Sequence, residues 1–213
     1  MSQRIHTGRR RNEAARQAIL QAAEDLLASG DGALITVAGI TQRAGVGKQT
    51  IYRWWPSKSA VLLEAMTERA KAVAPVRDTG DLRDDLYLLL RSTFAAVPKN
   101  RSLLLGVLHE GLADPDTMSQ LAAFAASRRD ALAQIIDTAR RRGQISRSAA
   151  TELAVDQVFG VLWYRMIFGH QPLDARAASQ LAEALVTQLT TSPGARTRQP
   201  TRQRATRSIK SVD

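Results

Sequence analysis

The chain is predicted to be all-α, with a small three-helix unit at its N-terminus ahead of a larger helical bundle, about nine helices in all. Apolar residues recur at three- and four-residue spacing through almost every segment, and no alternating run competes for a strand. Hydrophobic residues make up 44% of the chain but aromatics only 5%, so Ala, Leu, Ile and Val must do most of the packing, a composition that favours helices. Glycine and proline clusters punctuate the periodic runs at helical intervals.

The first eleven residues, with Arg4, Arg9, Arg10 and Arg11, have no apolar periodicity and are expected to form a mobile basic arm, residues 1–11. A helix over 12–29 follows, carrying Ala15, Ile19, Ala22, Ala23, Leu26 and Leu27 on one face until Gly30 and Gly32 stop it. Thr36 is a good N-cap for a short helix to residue 44, with Val37, Ile40 and Ala44 on one side. Gly45-Val46-Gly47 breaks the chain before a two-turn helix over 48–54, in which Ile51 is the expected anchor and Pro56 the stop. Ser57 can cap a fourth helix, 58–72, which runs into Ala74-Pro75 and a linker around Asp78 to Gly80.

Beyond the linker, helices are expected over 81–97, 102–113, 115–142, 149–169 and 174–191. Asp114 before Pro115 pairs a capping carboxylate with a proline at the first helical position, and Asp174 can cap the last helix. Arg140 to Arg142 fall at a helix C-terminus, where the macrodipole favours cations, and read as a solvated end. The last residues, rich in Arg, Thr, Ser and Pro, lack apolar content and are expected to be a disordered basic tail, residues 193–213.

Charge divides the chain in the same places. Lys and Arg outnumber Asp and Glu by nine to four in residues 1–58, balance at fifteen each in 59–192, and lead by six to one in 193–213, for a net +10. The sequence pI is about 10.9. A neutral middle between two basic ends says that any polyanion is held by the ends. With no cysteine the chain forms no disulfide and offers no thiolate ligand or nucleophile, as suits a reducing cytoplasm. No signal-like or membrane-spanning segment is apparent, so no membrane association is expected.

The segment from Thr36 to Lys58 combines a capped short helix, a glycine turn, a two-turn helix and a proline stop. That is the layout of a helix-turn-helix, in which the second helix enters the DNA major groove. So short a helix cannot stand alone in water, so Ile19, Leu26, Ile40, Val46, Ile51 and Leu62 are expected to brace it. Facing outward are then Lys48, Gln49, Thr50, Tyr52, Arg53 and Trp54. Gln49 and Arg53 can bond base edges in bidentate fashion, the Thr50 and Tyr52 hydroxyls can donate to phosphate, and Lys48 and Lys58 supply point charges. Trp54 suits packing on sugar and backbone, whereas Trp55 is expected inside, wedged between the third and fourth helices.

The string Thr41-Gln42-Arg43-Ala44-Gly45-Val46-Gly47-Lys48-Gln49-Thr50-Ile51-Tyr52-Arg53-Trp54-Trp55-Pro56-Ser57-Lys58 resembles the signature of the TetR family of regulators. The resemblance implies a helix-turn-helix domain over 12–58 and a helical regulatory and dimerisation domain over 59–192, acting as a homodimer on a palindromic operator in double-stranded DNA. It implies DNA contacts from Thr50, Tyr52, Arg53, Trp54 and Lys58, and a phosphate contact from Thr36. Repression modulated by a small-molecule effector is the implied activity, in the cytoplasm at the nucleoid, with no enzymatic role. The run Arg53-Trp54-Trp55-Pro56 departs from the commoner family pattern, so base preference does not carry over. Stretches around Leu103, Asp114-Pro115-Asp116 and Gly160 to Arg165 also resemble an actinobacterial regulator subgroup.

Phe94, His109 and Trp163 are the candidate effector contacts, and the helices over 149–169 and 174–191 the expected dimer face. Gly45-Val46-Gly47-Lys48 is no phosphate loop, because Gln42 stands where the first glycine is needed and Gln49 where a hydroxyl is needed. His6, His109 and His170 lack ligand spacing, so neither metal nor cofactor is expected. The rival reading is a nonspecific architectural DNA-binding protein, which accounts for the charge but not for a neutral body of more than a hundred residues.

Overall fold

In a computed structural model the described residues are 4–29, 34–73 and 77–191, with side chains described from residue 12 onward except at 73. They form eight helices and no strand: α1 (Arg4–Ser29), α2 (Val37–Ala44), α3 (Lys48–Trp54), α4 (Lys58–Val73), α5 (Leu82–Gly111), α6 (Pro115–Arg141), α7 (Thr151–Phe168) and α8 (Ala175–Thr190). The expected tail over 193–213 lies outside the described residues. Among the described residues no helix is long and apolar enough to cross a membrane.

Caps read from the sequence fix where several helices begin. Thr36 Oγ1 accepts from the Gly39 amide at 3.0 Å, Ser57 Oγ from Ala60 at 3.1 Å, Asp114 from Thr117 at 3.1 Å and Asp174 from Ala177 at 2.8 Å, and Asp81, a cap not read from the sequence, accepts from Asp84 at 3.0 Å. Each satisfies an amide that the helix leaves without an internal partner. At the other end of α2, Gly45 takes a left-handed conformation (φ 65°) and the Val46 amide reaches back to the Thr41 carbonyl at 3.1 Å. This closes the helix and turns the chain into α3.

Two expectations are corrected. Residues 4–11, expected as an arm, continue α1, since arginine has a high intrinsic preference for helix. The nine expected helices become eight because 81–97 and 102–113 are one helix, α5, running through Pro98. A proline inside a helix costs about 3 kcal/mol, lacking an amide proton and crowding the carbonyl four residues back. Leu90, Phe94, Val97, Leu104 and Val107 nevertheless keep one buried stripe across it, and that packing outweighs the break. Asn100 Nδ2 donates to the Ala96 carbonyl at 2.8 Å within the disturbed turn.

α5 is the axis of the body, flanked by α6 and α8 and touched by α7. α4 packs against α1 on one side and α6 on the other, so the N-terminal unit and the body share one continuous core. Its buried Val61, Leu62 and Ala65 join Ile19, Ala22 and Ala23 of α1. At the end of α6 Arg141 is exposed as expected, while Arg140 and Arg142 also tie loops down. Arg140 bonds the Ala149 carbonyl at 3.2 Å, and Arg142 pairs with Asp78 and, at 3.8 Å, with buried Asp85.

Candidate nucleic-acid interface

α3 is held from behind and open in front. Ile51 is fully buried together with Ile40 of α2, which sets the rotation of this two-turn helix. Lys48, Gln49, Tyr52, Arg53 and Trp54 are consequently exposed, with Thr50 and Lys58 half-buried at the edges. The Lys48 ammonium lies 5.8 Å from the centre of the Tyr52 ring, which keeps both on the same open face. Thr36 is exposed at the start of α2, and since its oxygen accepts from Gly39, its hydroxyl proton is left to donate outward. An anion there would also meet the positive end of the α2 dipole.

Two of the sequence-derived contacts are placed differently from a freely projecting side chain. Arg53 Nη1 donates to Asn12 Oδ1 of α1 at 3.3 Å, so base reading requires it to leave that partner. Trp54, 38% exposed, has the Arg16 guanidinium 5.9 Å from its ring centre. It therefore packs partly on α1 while offering its outer edge. Trp55 is buried as expected, with Arg16 5.8 Å from its ring centre.

The supports of this corner were not read from the sequence. Trp55 Nε1 donates to Glu64 Oε2 at 2.6 Å, and Glu64 Oε1 pairs with Arg16 of α1. Glu64 thus joins α1, α4 and the end of α3. The available signal was that a buried indole N–H needs an acceptor, and Glu64 is the first acid on the helix that follows. A second link, from Arg43 to Asp25 at 2.9 Å, fastens α2 to α1 and removes Arg43 from the free cations. Asp25 is held below its ordinary pKa by hydrogen bonds from Gln21 and Arg43.

A cavity of about 330 Å³ lies where α1 and α4 meet the body. Met66 and Ala70 of α4, Leu104 of α5, Phe124 of α6 and Phe159 and Trp163 of α7 supply apolar wall. Of the three residues singled out as effector contacts, Trp163 alone is in the lining. Phe94 is fully buried in the core and does not reach the cavity, while His109 is exposed near the end of α5. Helical spacing marks a residue as inward-facing but does not say which inward space it meets. Among the described residues no group of three His, Asp or Glu side chains could hold a metal ion.

On α7 the exposed residues Leu153, Gln157, Gly160, Tyr164 and Ile167 follow one another at four- and three-residue spacing. Phe168 lies beside them, 67% exposed, and Tyr164 stacks on it at 5.2 Å and on His170 at 4.5 Å. This apolar stripe is uncovered in the single chain.

Two family models match the chain: residues 19–65 match "Bacterial regulatory proteins, tetR family", and residues 76–185 match "Tetracyclin repressor-like, C-terminal domain". The HTH-type transcriptional regulator Rv1556 of Mycobacterium tuberculosis is 33% identical over 75% of this chain and 80% of its own length. YdeS of Bacillus subtilis, another HTH-type transcriptional regulator, is 29% identical over 75% of this chain and 82% of its own. The crystal structure of the TetR family transcription regulator SCO0332 superposes with a TM-score of 0.75 at 27% identity, covering 84% of this chain and 99% of that one.

Proposed function

Since the chain belongs to the TetR family and is a helix-turn-helix transcriptional regulator, we propose that it is a homodimeric repressor whose hold on a palindromic operator is set by a small molecule in the cavity. The exposed face of α3 enters the major groove. Gln49 and Arg53 read base edges, while Thr36, Lys48, Thr50, Tyr52 and Lys58 hold phosphates and Trp54 packs on the backbone. The stripe on α7, with Gly160 at its middle permitting close approach, meets its own copy across a two-fold axis, and α8 completes a four-helix interface. The protein works in the cytoplasm, at the nucleoid.

The observation that carries the regulatory half is the position of α4. Met66, Arg69 and Ala70 of this helix stand in the cavity wall, while Glu64, less than one turn earlier, holds Trp55 at the end of α3. At its N-terminal end Ser59 bonds Glu110 of α5 at 2.8 Å and Ser57 meets Gln120 of α6 at 3.4 Å. An occupant that displaces α4 therefore displaces α3. Effector binding favours one α4 position over another and changes the separation of the two recognition helices in the dimer.

Selection of bound duplexes from a random library, with the full chain, tests the operator half. The expected product is an inverted repeat with half-site centres about one turn, ~34 Å, apart. Enrichment of no sequence contradicts the proposal and favours architectural binding, whereas an enriched motif without two-fold symmetry contradicts the palindromic dimer alone.

A further inference from the structure

We infer that the cavity takes an amphipathic organic anion: an apolar body carrying a carboxylate or similar acidic head. This inference rests on the reading of the cavity as the effector site and names the chemistry of the effector. Its basis is the distribution of charge around the space. Arg69 of α4, Lys99 of α5 and Arg128 of α6 reach the lining from three different helices, and no Asp or Glu is in it. The rest of the lining is mostly apolar, with Ser92, Thr93 and Asn100 as neutral polar groups.

Arg128 shows most clearly that the site is short of negative charge. It is half-buried, and among the described residues its one protein hydrogen bond is a long one, 3.4 Å, from Nη2 to the Thr93 hydroxyl oxygen. A guanidinium has five N–H donors, so most of its capacity is unspent. No ion pair is formed by Arg128, Arg69 or Lys99 among the described residues. Burial without a balancing acid pulls the Arg128 pKa below its ordinary value, although a guanidinium stays charged. Arg69 is partly answered by Glu24 of α1, on which it acts electrostatically, and Lys99 is exposed to solvent, so the half-buried Arg128 carries the larger share.

A cation beside an apolar wall discriminates sharply. A carboxylate can take two parallel N–H bonds from one guanidinium, whereas a cationic ligand of the same shape meets like charge from three helices. The volume, near 330 Å³, stands at the small end of ligand cavities and suits one short chain or ring system.

The test uses the full chain and three probes with the same apolar body: decanoate, 1-decanol and decyltrimethylammonium, each below its micelle-forming concentration. Binding is read by calorimetry and by the tryptophan fluorescence of the chain, to which Trp163 in the lining contributes, with operator release followed in parallel. Decanoate is expected to bind at least 10-fold more tightly than either other probe. Arg128→Gln should remove most of that preference while leaving decanol binding and the melting temperature unchanged. Equal or tighter binding of decanol or the ammonium, binding of none of the three, or full decanoate affinity in Arg128→Gln overturns the inference. Operator release separates it from the reading beneath it. Release by the neutral or cationic probe keeps the effector role and discards the anion, whereas decanoate that binds without releasing DNA keeps the anion and discards the role.

Discussion

Trp55 donates its indole N–H to Glu64 across 2.6 Å, and this bond joins the residue that caps the recognition helix to the helix that walls the cavity. Because Trp55 is only 4% exposed, its N–H has no water to fall back on. A buried donor left unpaired costs about 1–3 kcal/mol. Glu64→Ala should therefore lower the unfolding free energy by about 2 kcal/mol, read from urea denaturation. Glu64→Gln keeps an acceptor for Trp55 and should cost about half as much. Equal losses would mean that the charge on Glu64, through Arg16, matters more than the indole bond.

Salt dependence separates the side chains that hold phosphates from those that read bases. Neutralising one cation that holds a phosphate flattens the plot of log affinity against log salt by about 0.9, and in a dimer each substitution neutralises two. Lys48→Gln and Lys58→Gln should each flatten the slope by about 1.8 on every duplex alike. Gln49→Ala should leave the slope unchanged and weaken only the preferred site. A Lys48 variant with an unaltered slope would remove that side chain from the interface.

Gly45 tests the turn itself. It sits at φ 65° with nothing near the place where a Cβ would project, so substitution meets backbone strain and no clash. Gly45→Ala should destabilise the protein by about 1–2 kcal/mol, and Gly45→Asn by less, since Asn tolerates the left-handed region. The measurement is again urea denaturation, and a neutral Gly45→Ala would show that the turn relaxes without cost.

Asp114 predicts an acid-side response. Hydrogen bonds from the Thr117 side chain and backbone, with that of Asp116, hold its pKa below the ordinary aspartate value. A depressed carboxylate stabilises the fold fully above its unfolded value, about 3.9, and the contribution fades as pH falls through the lower folded value. Asp114→Asn keeps a capping oxygen but does not titrate. Its stability should accordingly decline less steeply than that of the parent as pH drops below about 4, and parallel curves would remove Asp114 from the acid response.

Much of the fold was legible because local chemistry set it. Thr36, Ser57, Asp114 and Asp174 cap through their own side chains, and Gly45 turns through its own backbone freedom, so each is visible in a few consecutive residues. The break expected between residues 97 and 102, where Pro98 stands, is not found. A local rule breaks the helix there, while the stripe from Leu90 to Val107, visible only over several turns, keeps it whole. The open face of α3 was readable once Ile51 was taken as its buried side. Less accessible were the partners that meet across the fold, Arg16 with Glu64 and Arg53 with Asn12, and the gathering of Arg69, Lys99 and Arg128 around one cavity. Their proximity depends on how α1, α4, α5 and α6 cross, which periodicity does not specify. Phe94 and His109 were assigned to a cavity for want of that same information.

The central claim, that the exposed face of α3 reads a specific operator, is tested most directly by fluorescence anisotropy. The full chain is titrated at physiological salt into its own upstream region and into a scrambled duplex, beside Tyr52→Ala. Tyr52 is 45% exposed and outside the core, so the variant should fold as the parent does. A preference of ~10³-fold or more for the upstream DNA, lost in Tyr52→Ala, is the predicted result. Equal affinity for both duplexes, unchanged by the substitution, would contradict specific reading by α3 at that site.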